Sequence, residues 1–346
     1  MRNAPSAAKP DQRRQLSSTP ETAWLRFDRN VPRDLVHRRA LAEVLIADTV
    51  QVADDEFLLG TQLPRAHTLW SDRQYPYHDP LITVEVCRQA CIATLHRYYN
   101  VPPEWQFLSK RIDFRVVNLD AYADDHASPP EGILRARILN KRERAGTLLA
   151  ITIESELTID GTLGGTVSGD VIVMQQPAYQ RLRAQQLKIK YESLATSRTQ
   201  EPVRPVDPSR VGRILQRNVA IGDGTEAVTP SGECRYNAVV DQTHPCFFDH
   251  PLDHLPGALI MEIHRQTAID AAGSAAIGMP ASAVITRCDV QLSDFAELET
   301  HMTCSATLVG QPQPESARVV SRLHQFDSQI GDGQVELRFV QVDAHA

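Results

Sequence analysis

The 346-residue sequence lacks the features that mark secreted, membrane or nucleic-acid-binding proteins. No apolar run approaches the roughly 20 residues that a membrane-spanning helix needs, and no apolar segment follows the charged N-terminus, as a signal peptide requires. A net charge of −7 gives no general attraction to nucleic acid or to an anionic membrane. The six cysteines form neither a CxxC pair nor a zinc-like spacing. These absences predict a cytoplasmic protein with reduced thiols and no nucleic-acid or membrane partner.

The sequence also lacks the motifs of several common enzyme classes. Residues 161–170 contain four glycines but no P-loop lysine, so a twisted hairpin is favoured over a phosphate-binding loop. The segments 221–224 and 330–333, both Ile-Gly-Asp-Gly, are interpreted as turns. No Ser or Cys stands in a nucleophile motif, and strands do not alternate with helices. Covalent catalysis and a doubly wound sheet are therefore not expected.

The most informative stretch runs from Cys246 to Thr267. Two aromatic residues come first, followed by a loop rich in His and Asp and by a Pro-Gly step that opens an apolar helix. Pro256 favours a helix start, and Gly257 leaves the amides of the first turn open to close approach. Such amides attract a carbonyl oxygen or an anion. Because Glu262 follows in the same helix, this stretch is a candidate general-base site.

An earlier segment, 75–99, repeats this helix with its apolar residues in step. Both helices contain Glu-x-x-Arg-Gln, and the aligned residues lie 177 positions apart (262 − 85 for the glutamates): Glu85 and Glu262, Arg88 and Arg265, Gln89 and Gln266. The repeat indicates a duplication, with two similar halves fused head to tail.

The predicted elements follow the same order in both halves: strands, a loop, a central helix and a run of strands. The helices are predicted at 79–100 and 256–274, and a further short helix at 175–188. The Asp160-Gly161 step predicts a hairpin between two long strands. The predicted class is α+β, with an antiparallel sheet wrapped around each long central helix.

Composition divides the chain into two domains. Residues 1–22, rich in Pro, Ser, Ala and charge, are predicted to form a disordered tail. The segment 196–212, rich in Thr, Pro, Arg and Glu, is predicted to be the linker. The domains that it joins are an N-terminal one at 23–195 and a C-terminal one at 213–346.

Two interpretations of Glu85 and Glu262 stay open. Each could form an ordinary ion pair with the arginine three residues later, which contributes about 0.2–0.5 kcal/mol at a surface. Their neighbours are apolar nearly all round, however, so both helices are expected to be buried, where such a pair costs several kcal/mol in desolvation. Burial is also expected to raise the pKa of each carboxyl toward neutrality, as a general base requires. The functional interpretation is therefore favoured.

The loop before the second helix contains His250, Asp253 and His254. These are three close ligands without a clear fourth, so no metal is expected. Capping of local amides by Asp249 or Asp253, with solvated histidines, is the alternative to a functional loop. The first half has His78 and Asp79 but no Pro-Gly step. The two copies have diverged in this loop, so their sites are not expected to have the same function.

Three segments in combination resemble the A-factor biosynthesis family of tandem hotdog proteins: V-H-R-R-A-L-A-E-V-L-I-A-D from Val36, E-V-C-R-Q in the first helix, and F-D-H-P-L-D-H-L-P-G-A-L-I-M-E ending at Glu262. The resemblance covers most of residues 33–343. It implies two fused hotdog domains that form a pseudo-dimer, as a monomer or as a homodimer. Hotdog sites usually form across a two-fold axis, so Glu85 is expected to face the loop at 250–257, and Glu262 the loop around His78.

The resemblance also implies an activity, namely transfer of a β-ketoacyl group from acyl carrier protein, or from coenzyme A, to dihydroxyacetone phosphate in γ-butyrolactone-type signal biosynthesis. No cofactor is implied. Glu85, as the base, and Arg265, as the cation for the phosphate, are the expected catalytic residues. The residues expected to bind substrate are His250, His254, Gly257, Arg88, Gln89, Glu262 and Gln266. A hotdog dehydratase or thioesterase, and a non-catalytic regulatory homologue, are the alternatives.

Overall fold

The computed structural model describes residues 24–192, 202–223, 233–311, 313 and 315–342. The predicted tail at 1–22 lies outside the described residues, as does the first part of the predicted linker. Within the rest of that linker, Pro208–Val211 forms a turn of 3-10 helix whose last residue is buried. The domain boundary stays a prediction.

A single antiparallel sheet spans both halves of the chain. In the described residues its strands are β1 (Ile46–Ala53), β2 (Glu56–Gln62), β3 (Gln106–Val116), β4 (Glu131–Arg144), β5 (Thr147–Ile159), β6 (Thr162–Met174), β7 (Ile221–Gly222), β8 (Cys234–Ala238), β9 (Ala283–Leu292), β10 (Thr303–Leu308), β11 (Ser316–Gln325) and β12 (Ser328–Phe339). Their order is β1-β2-β4-β5-β6-β3-β9-β12-β11-β10-β8-β7. The second six strands repeat the first six in reverse order, as a two-fold axis requires.

The axis passes between β3 and β9, where the two halves join edge to edge. Asp113 pairs with Asp289 at the centre of this junction, and Arg111 and Arg115 pair with Gln291 and Arg287 on either side. Each arginine of β3 lies within 3.3 Å of one or both aspartates. The junction is therefore held by backbone hydrogen bonds and by alternating charges.

The sheet wraps two long helices, α1 (Ile82–Tyr98) and α3 (Gly257–Ser274), and both predictions of a central helix are confirmed. Their residues are buried on nearly every side, which fits sequences that are apolar all round. Pro256 stands immediately before the first residue of α3, in extended conformation. None of the described helices is long and apolar enough to cross a membrane.

A third helix, α2 (Gln176–Glu192), follows β6 and packs against the second half. The Arg183 guanidinium donates to the buried Glu297 carboxylate at 2.6 Å and to the Asp253 carbonyl at 2.8 Å. Lys190 also donates to Glu297, at 2.8 Å, and the Tyr179 hydroxyl donates to the Asp253 carboxylate at 2.6 Å. These contacts fix α2 beside the loop that precedes α3.

The hairpin predicted at Asp160-Gly161 is confirmed, with both residues at positive φ. The turns predicted at 221–224 and 330–333 are wrong in the described residues, because 221–222 form β7 and 330–333 lie inside β12. A Cβ added to Gly333 would lie 2.8 Å from His264 Nδ1 of α3. Glycine stands there because the strand approaches the central helix closely, not because the chain turns.

Candidate active site

In the N-terminal half, the carboxylate of Glu85 is surrounded by hydrogen-bond donors. Arg38 donates through Nη2 at 2.6 Å, and Arg88 through Nη2 and Nε at 2.8 and 2.9 Å. Gln89 donates at 2.6 Å and also bonds the backbone of the segment before β1. Glu85 itself is buried. Four hydrogen bonds, three to Oε1 and one to Oε2, therefore fix the position of this carboxylate.

The C-terminal half repeats the network around Glu262. Arg213 donates through Nη2 at 3.0 Å and Arg265 through Nη2 at 2.5 Å, and Gln266 donates to the same carboxylate. Gln266 also bonds the backbone before β7, as Gln89 does before β1. The repeated Glu-x-x-Arg-Gln motif is therefore one part of a larger repeated cluster.

The arginines Arg38 and Arg213 were missed by the sequence analysis. Each follows a residue in the left-handed region, His37 at φ 50° and Gly212 at φ 67°, which ends a short 3-10 helix. The sequence signal was the repeated Val-x-Arg, at 36–38 and at 211–213. These copies lie 175 positions apart (213 − 38), whereas the helix motifs lie 177 apart.

Two further aspartates lock each half onto the other. Asp249 accepts from the backbone amides of residues 39 and 40 at 2.6 and 2.8 Å, and Asp72 accepts from those of residues 214 and 215 at 2.9 and 3.2 Å. Both therefore hold the segment that carries the partner half's arginine, Arg38 or Arg213. Each carboxylate network is assembled from the two halves together.

The side chains of Glu43, His67 and Cys246 lie close enough to suggest a metal site, with ligand atoms within 4.8 Å of one another. However, His67 Nδ1 accepts hydrogen bonds from the amides of Leu69 and Trp70. Nε2 must then carry the proton of a neutral ring, and it lies 3.3 Å from Glu43 Oε1. A metal-bound histidine normally donates its other ring N–H. The bonding of Nδ1 therefore does not match that of a metal-bound histidine, and Nε2 makes no hydrogen bond to Glu43.

The two clusters differ most at the start of the central helices. Asp79 lies just before α1, is completely buried, and enters the C-terminal cluster, where Arg265 Nη1 donates to its Oδ2 at 2.5 Å. Its Oδ1 accepts from the amide of Leu81 at 3.1 Å. The Glu262 cluster does face the loop around His78, but the carboxylate of Asp79 in that loop binds Arg265 there.

Around Glu85, by contrast, the structure contains a cavity of about 350 Å³. Its polar end is lined by Glu85, Arg88, His37 and His250, beside the start of α3 at Gly257. Its other walls come from α1, β3, β5, β6 and α2, and they include Cys91, Ile92, Leu108, Ile153, Val167 and Leu182. The cavity can hold an apolar chain with a polar group at one end.

The predicted site residues fall into two groups. The cavity is lined by Glu85, Arg88, His250, His254 and Gly257. The remaining four are fully or nearly fully buried in the two carboxylate networks: Gln89, Glu262, Arg265 and Gln266. The structure therefore does not bring Glu85 and Arg265 into one site, and the residue beside Glu85 that corresponds to Arg265 is Arg88.

The two glutamates have opposite pKa shifts. Burial would raise the pKa of Glu85, but the charges and hydrogen bonds of Arg38 and Arg88 hold it well below its usual range. The expectation of a raised pKa is wrong for Glu85, because the sequence does not show that a second arginine reaches it. Burial raises the pKa of Glu262 to about 7, and the charge of Asp79 acts in the same direction against Arg213.

Three histidines line the cavity, and two of them are engaged with other side chains. His37 Nε2 contacts His96 Nε2 at 2.9 Å, and His254 Nδ1 contacts Asp253 at 2.7 Å. His250 is one-third exposed, and its Nδ1 lies 3.7 Å from Asp249 without a hydrogen bond. Burial lowers the pKa of His250, so its ring is neutral at pH 7.

Long buried helices wrapped by one antiparallel sheet, with a cavity between the helix of one half and the loop of the other, define a double hotdog protein. The chain belongs to the A-factor biosynthesis hotdog domain family (AfsA), whose model matches residues 21–175 and 194–341. The predicted family and fold are both confirmed.

Relatives with a named activity cover most of the chain. A 2-oxo-3-(phosphooxy)propyl 3-oxoalkanoate synthase from Streptomyces virginiae is 31% identical over 238 residues, which are 69% of this chain and 76% of that protein. A protein of the same name from Streptomyces coelicolor is 25% identical over 87% of this chain and 89% of its own length. Among solved structures, the 12:0-ACP thioesterase from Umbellularia californica has a TM-score of 0.44 at 9% identity, covering 82% of this chain and 94% of that one.

Proposed function

We propose that this chain is an acyltransferase that joins a 3-oxoacyl group to the hydroxyl of dihydroxyacetone phosphate. The name of the Streptomyces relatives describes such an ester, a 3-oxoalkanoate of 2-oxo-3-(phosphooxy)propanol. The observation that carries the proposal is the cavity, which joins apolar walls to a polar end made of Glu85, Arg88 and His250. The acyl chain lies along α1, and the thioester and the acceptor meet at the start of α3.

The reaction needs one proton acceptor and donors for a carbonyl oxygen. The acceptor hydroxyl attacks the thioester carbon, its proton passes to a base, the C–S bond breaks, and the departing thiolate takes up a proton. The amide of Gly257, the first residue of α3, can donate to the carbonyl oxygen as negative charge develops on it. No covalent enzyme intermediate is required.

The base that fits this site best is His250. Glu85 already accepts four hydrogen bonds, and its depressed pKa makes it a weak proton acceptor at neutral pH. His250 lines the same cavity with a side chain that is one-third exposed, and its lowered pKa keeps the ring neutral and able to accept a proton. In this assignment, Glu85 is the positioning residue that holds Arg88, and His250 removes the proton of the hydroxyl.

The donor is an acyl carrier protein or coenzyme A thioester, and one chain suffices for the reaction. Both sides of the cavity, α1 and the loop at 250–257, belong to the same chain. A monomer therefore contains a complete site, and a homodimer would hold two.

The direct test mixes the purified protein with a 3-oxoacyl carrier-protein thioester and dihydroxyacetone phosphate. Mass spectrometry is expected to show a phosphorylated ester whose formation needs both substrates. Parallel reactions without the acceptor measure hydrolysis of the thioester. Thioester consumed equally fast without acceptor, or dehydrated to an enoyl product, would contradict the transferase and indicate a hydrolase or a dehydratase.

The pH dependence of the reaction tests the base separately. Because the neutral ring of His250 accepts the proton and its pKa is lowered, kcat/KM is expected to be level around pH 7. It should fall only as the pH drops through the lowered pKa, below the ordinary value of about 6.5 for a histidine. Rates measured between pH 5 and 8, with a check that the protein stays folded, decide this. A fall centred near pH 7, where Glu262 titrates, would contradict the assignment.

A further inference from the structure

The cluster around Glu262 is here called the closed cluster, because it contains an anion from the protein itself, the carboxylate of Asp79. The carboxylate of Asp79 bridges two groups, since its Oδ1 accepts from the amide of Leu81 and its Oδ2 accepts from Arg265 Nη1. It thus joins the helix start of one half to the helix arginine of the other. Arg213 lies 3.8 Å from the same oxygen.

The cluster around Glu85, which lines the cavity and is here called the open cluster, has the same glutamate, arginine and glutamine residues but no such anion. The position of Asp79 is taken by Pro256 (256 − 79 = 177), and one backbone bond is shared, because the Leu259 amide donates to the Pro256 carbonyl as the Ile82 amide does to that of Asp79. The next bonds differ, since the Ile260 amide also donates to the Pro256 carbonyl, whereas the Thr83 amide donates to that of Pro80. Proline has no carboxylate, and no side chain caps the start of α3. Ala258, the counterpart of Leu81, lines the cavity, and its amide has no side-chain cap.

Arg88, the helix arginine of the open cluster, does not use all of its nitrogens as hydrogen-bond donors. In the described part of the chain, the hydrogen bonds of the Arg88 guanidinium come from Nε and Nη2, and all go to Glu85. Its side chain is one-third exposed and lines the cavity. The corresponding Arg265 divides its terminal nitrogens between Glu262 and Asp79.

The contacts of the two clusters differ by one negative group. The two arginines around Glu262 touch a second carboxylate, whereas Arg38 and Arg88 share only Glu85. The charges of Glu43 and Asp249 also act on Arg38. The Glu43 carboxylate lies against His67 and Cys246, and the Asp249 carboxylate accepts from the amides of residues 39 and 40, so neither takes the place of Asp79. A bound anion between Arg88 and the Ala258 amide would complete the open cluster.

We propose that the space between Arg88 and the uncapped start of α3 is the subsite for the phosphate of the acceptor. The position of Asp79 in the closed cluster shows how an anion sits there, bridging a helix-start amide and an arginine. Forked recognition by arginine and a helix N-terminus both suit a phosphate monoester. That the phosphate belongs to dihydroxyacetone phosphate rests on the proposed function; the anion subsite itself does not.

The test places the internal anion in the open cluster. Pro256→Asp copies Asp79, and its carboxylate can accept from the Ala258 amide and from Arg88, so it should occupy the subsite without unfolding the chain. Pro256→Ala is the neutral control, since it has no side-chain acceptor for the Ala258 amide. Arg88→Gln removes the cation, and Arg97→Gln removes a half-exposed cation from the same helix outside the cavity. Calorimetric titration with inorganic phosphate and with dihydroxyacetone phosphate, without acyl donor, measures binding.

Both ligands are expected to bind the wild type, Pro256→Ala and Arg97→Gln. Pro256→Asp and Arg88→Gln should each bind about 10–100-fold more weakly, since a charge-assisted contact is lost. Unchanged affinity in these two folded variants would overturn the subsite, even if the ester still forms. Weakened binding in a protein that forms no ester would keep the subsite and refute the transferase. In the active enzyme, both variants should raise KM for the acceptor more than KM for the donor.

Discussion

Arg265→Ala is expected to lower the free energy of unfolding by about 3–5 kcal/mol, because it removes one partner from a buried charge cluster. The carboxylates of Glu262 and Asp79, both buried, would then share only Arg213. Urea unfolding at pH 7.5 measures the loss. Arg97→Ala, at a half-exposed position of α1, is the control; it loses one hydrogen bond to Thr49 and should cost no more than about 1.5 kcal/mol. A loss below about 1 kcal/mol for Arg265→Ala would contradict the cluster's role in stability.

A paired substitution separates stability from catalysis at this position. In Arg265→Met with Asp79→Asn, one positive and one negative charge leave together, so Arg213 and Glu262 remain as a balanced pair. Most of the lost stability should return, because no unpaired charge stays buried. If the folded double variant forms ester, Arg265 acts through the fold. A folded but inactive double variant would instead support the catalytic role that the family resemblance implies.

His250→Ala is expected to lower kcat by about 10²–10⁴-fold, the usual contribution of a positioned general base. Its KM for the acyl donor should change little, because the acyl chain lies against apolar walls. His254→Ala is the matched control on the same loop; its ring is held by Asp253 and Tyr179, so kcat should change far less. The rates are measured at pH 7.5 with saturating substrates. Equal losses in the two variants would contradict a specific role for His250.

Much of the fold could be predicted from sequence because the repeat preserved a pattern over a long, regular element. In a buried helix, a shift of one residue would move Glu85 or Glu262 off the face where its partners lie, so the Glu-x-x-Arg-Gln spacing stays constant. The segment before β1 or β7 is joined to the helix by loops, which tolerate insertions. The separation from arginine to glutamate is 47 residues in one half (85 − 38) and 49 in the other (262 − 213). Arg38 and Arg213 were missed for this reason.

The chemistry of the two clusters was harder to predict, because it depends on contacts between the halves. The sequence shows that Asp79 and Pro256 differ, but not that the Asp79 carboxylate enters the other half's cluster. Likewise, Glu85 has one arginine in its own helix, which suggests a simple pair, and the second comes from a distant segment. Those two contacts decide which cluster is open and which carboxyl stays ionised.

The edge-to-edge junction of β3 and β9 within one chain has an evolutionary consequence. In a dimer of identical chains, every substitution occurs twice, so an aspartate that filled one cluster would fill its twin as well. Once the two copies are covalently joined, each can mutate alone. One copy can then become a purely structural element, with its charges neutralised internally, while the other keeps an accessible cavity and adapts to its ligand. Fusion in this way allows a symmetric fold to specialise a single pocket.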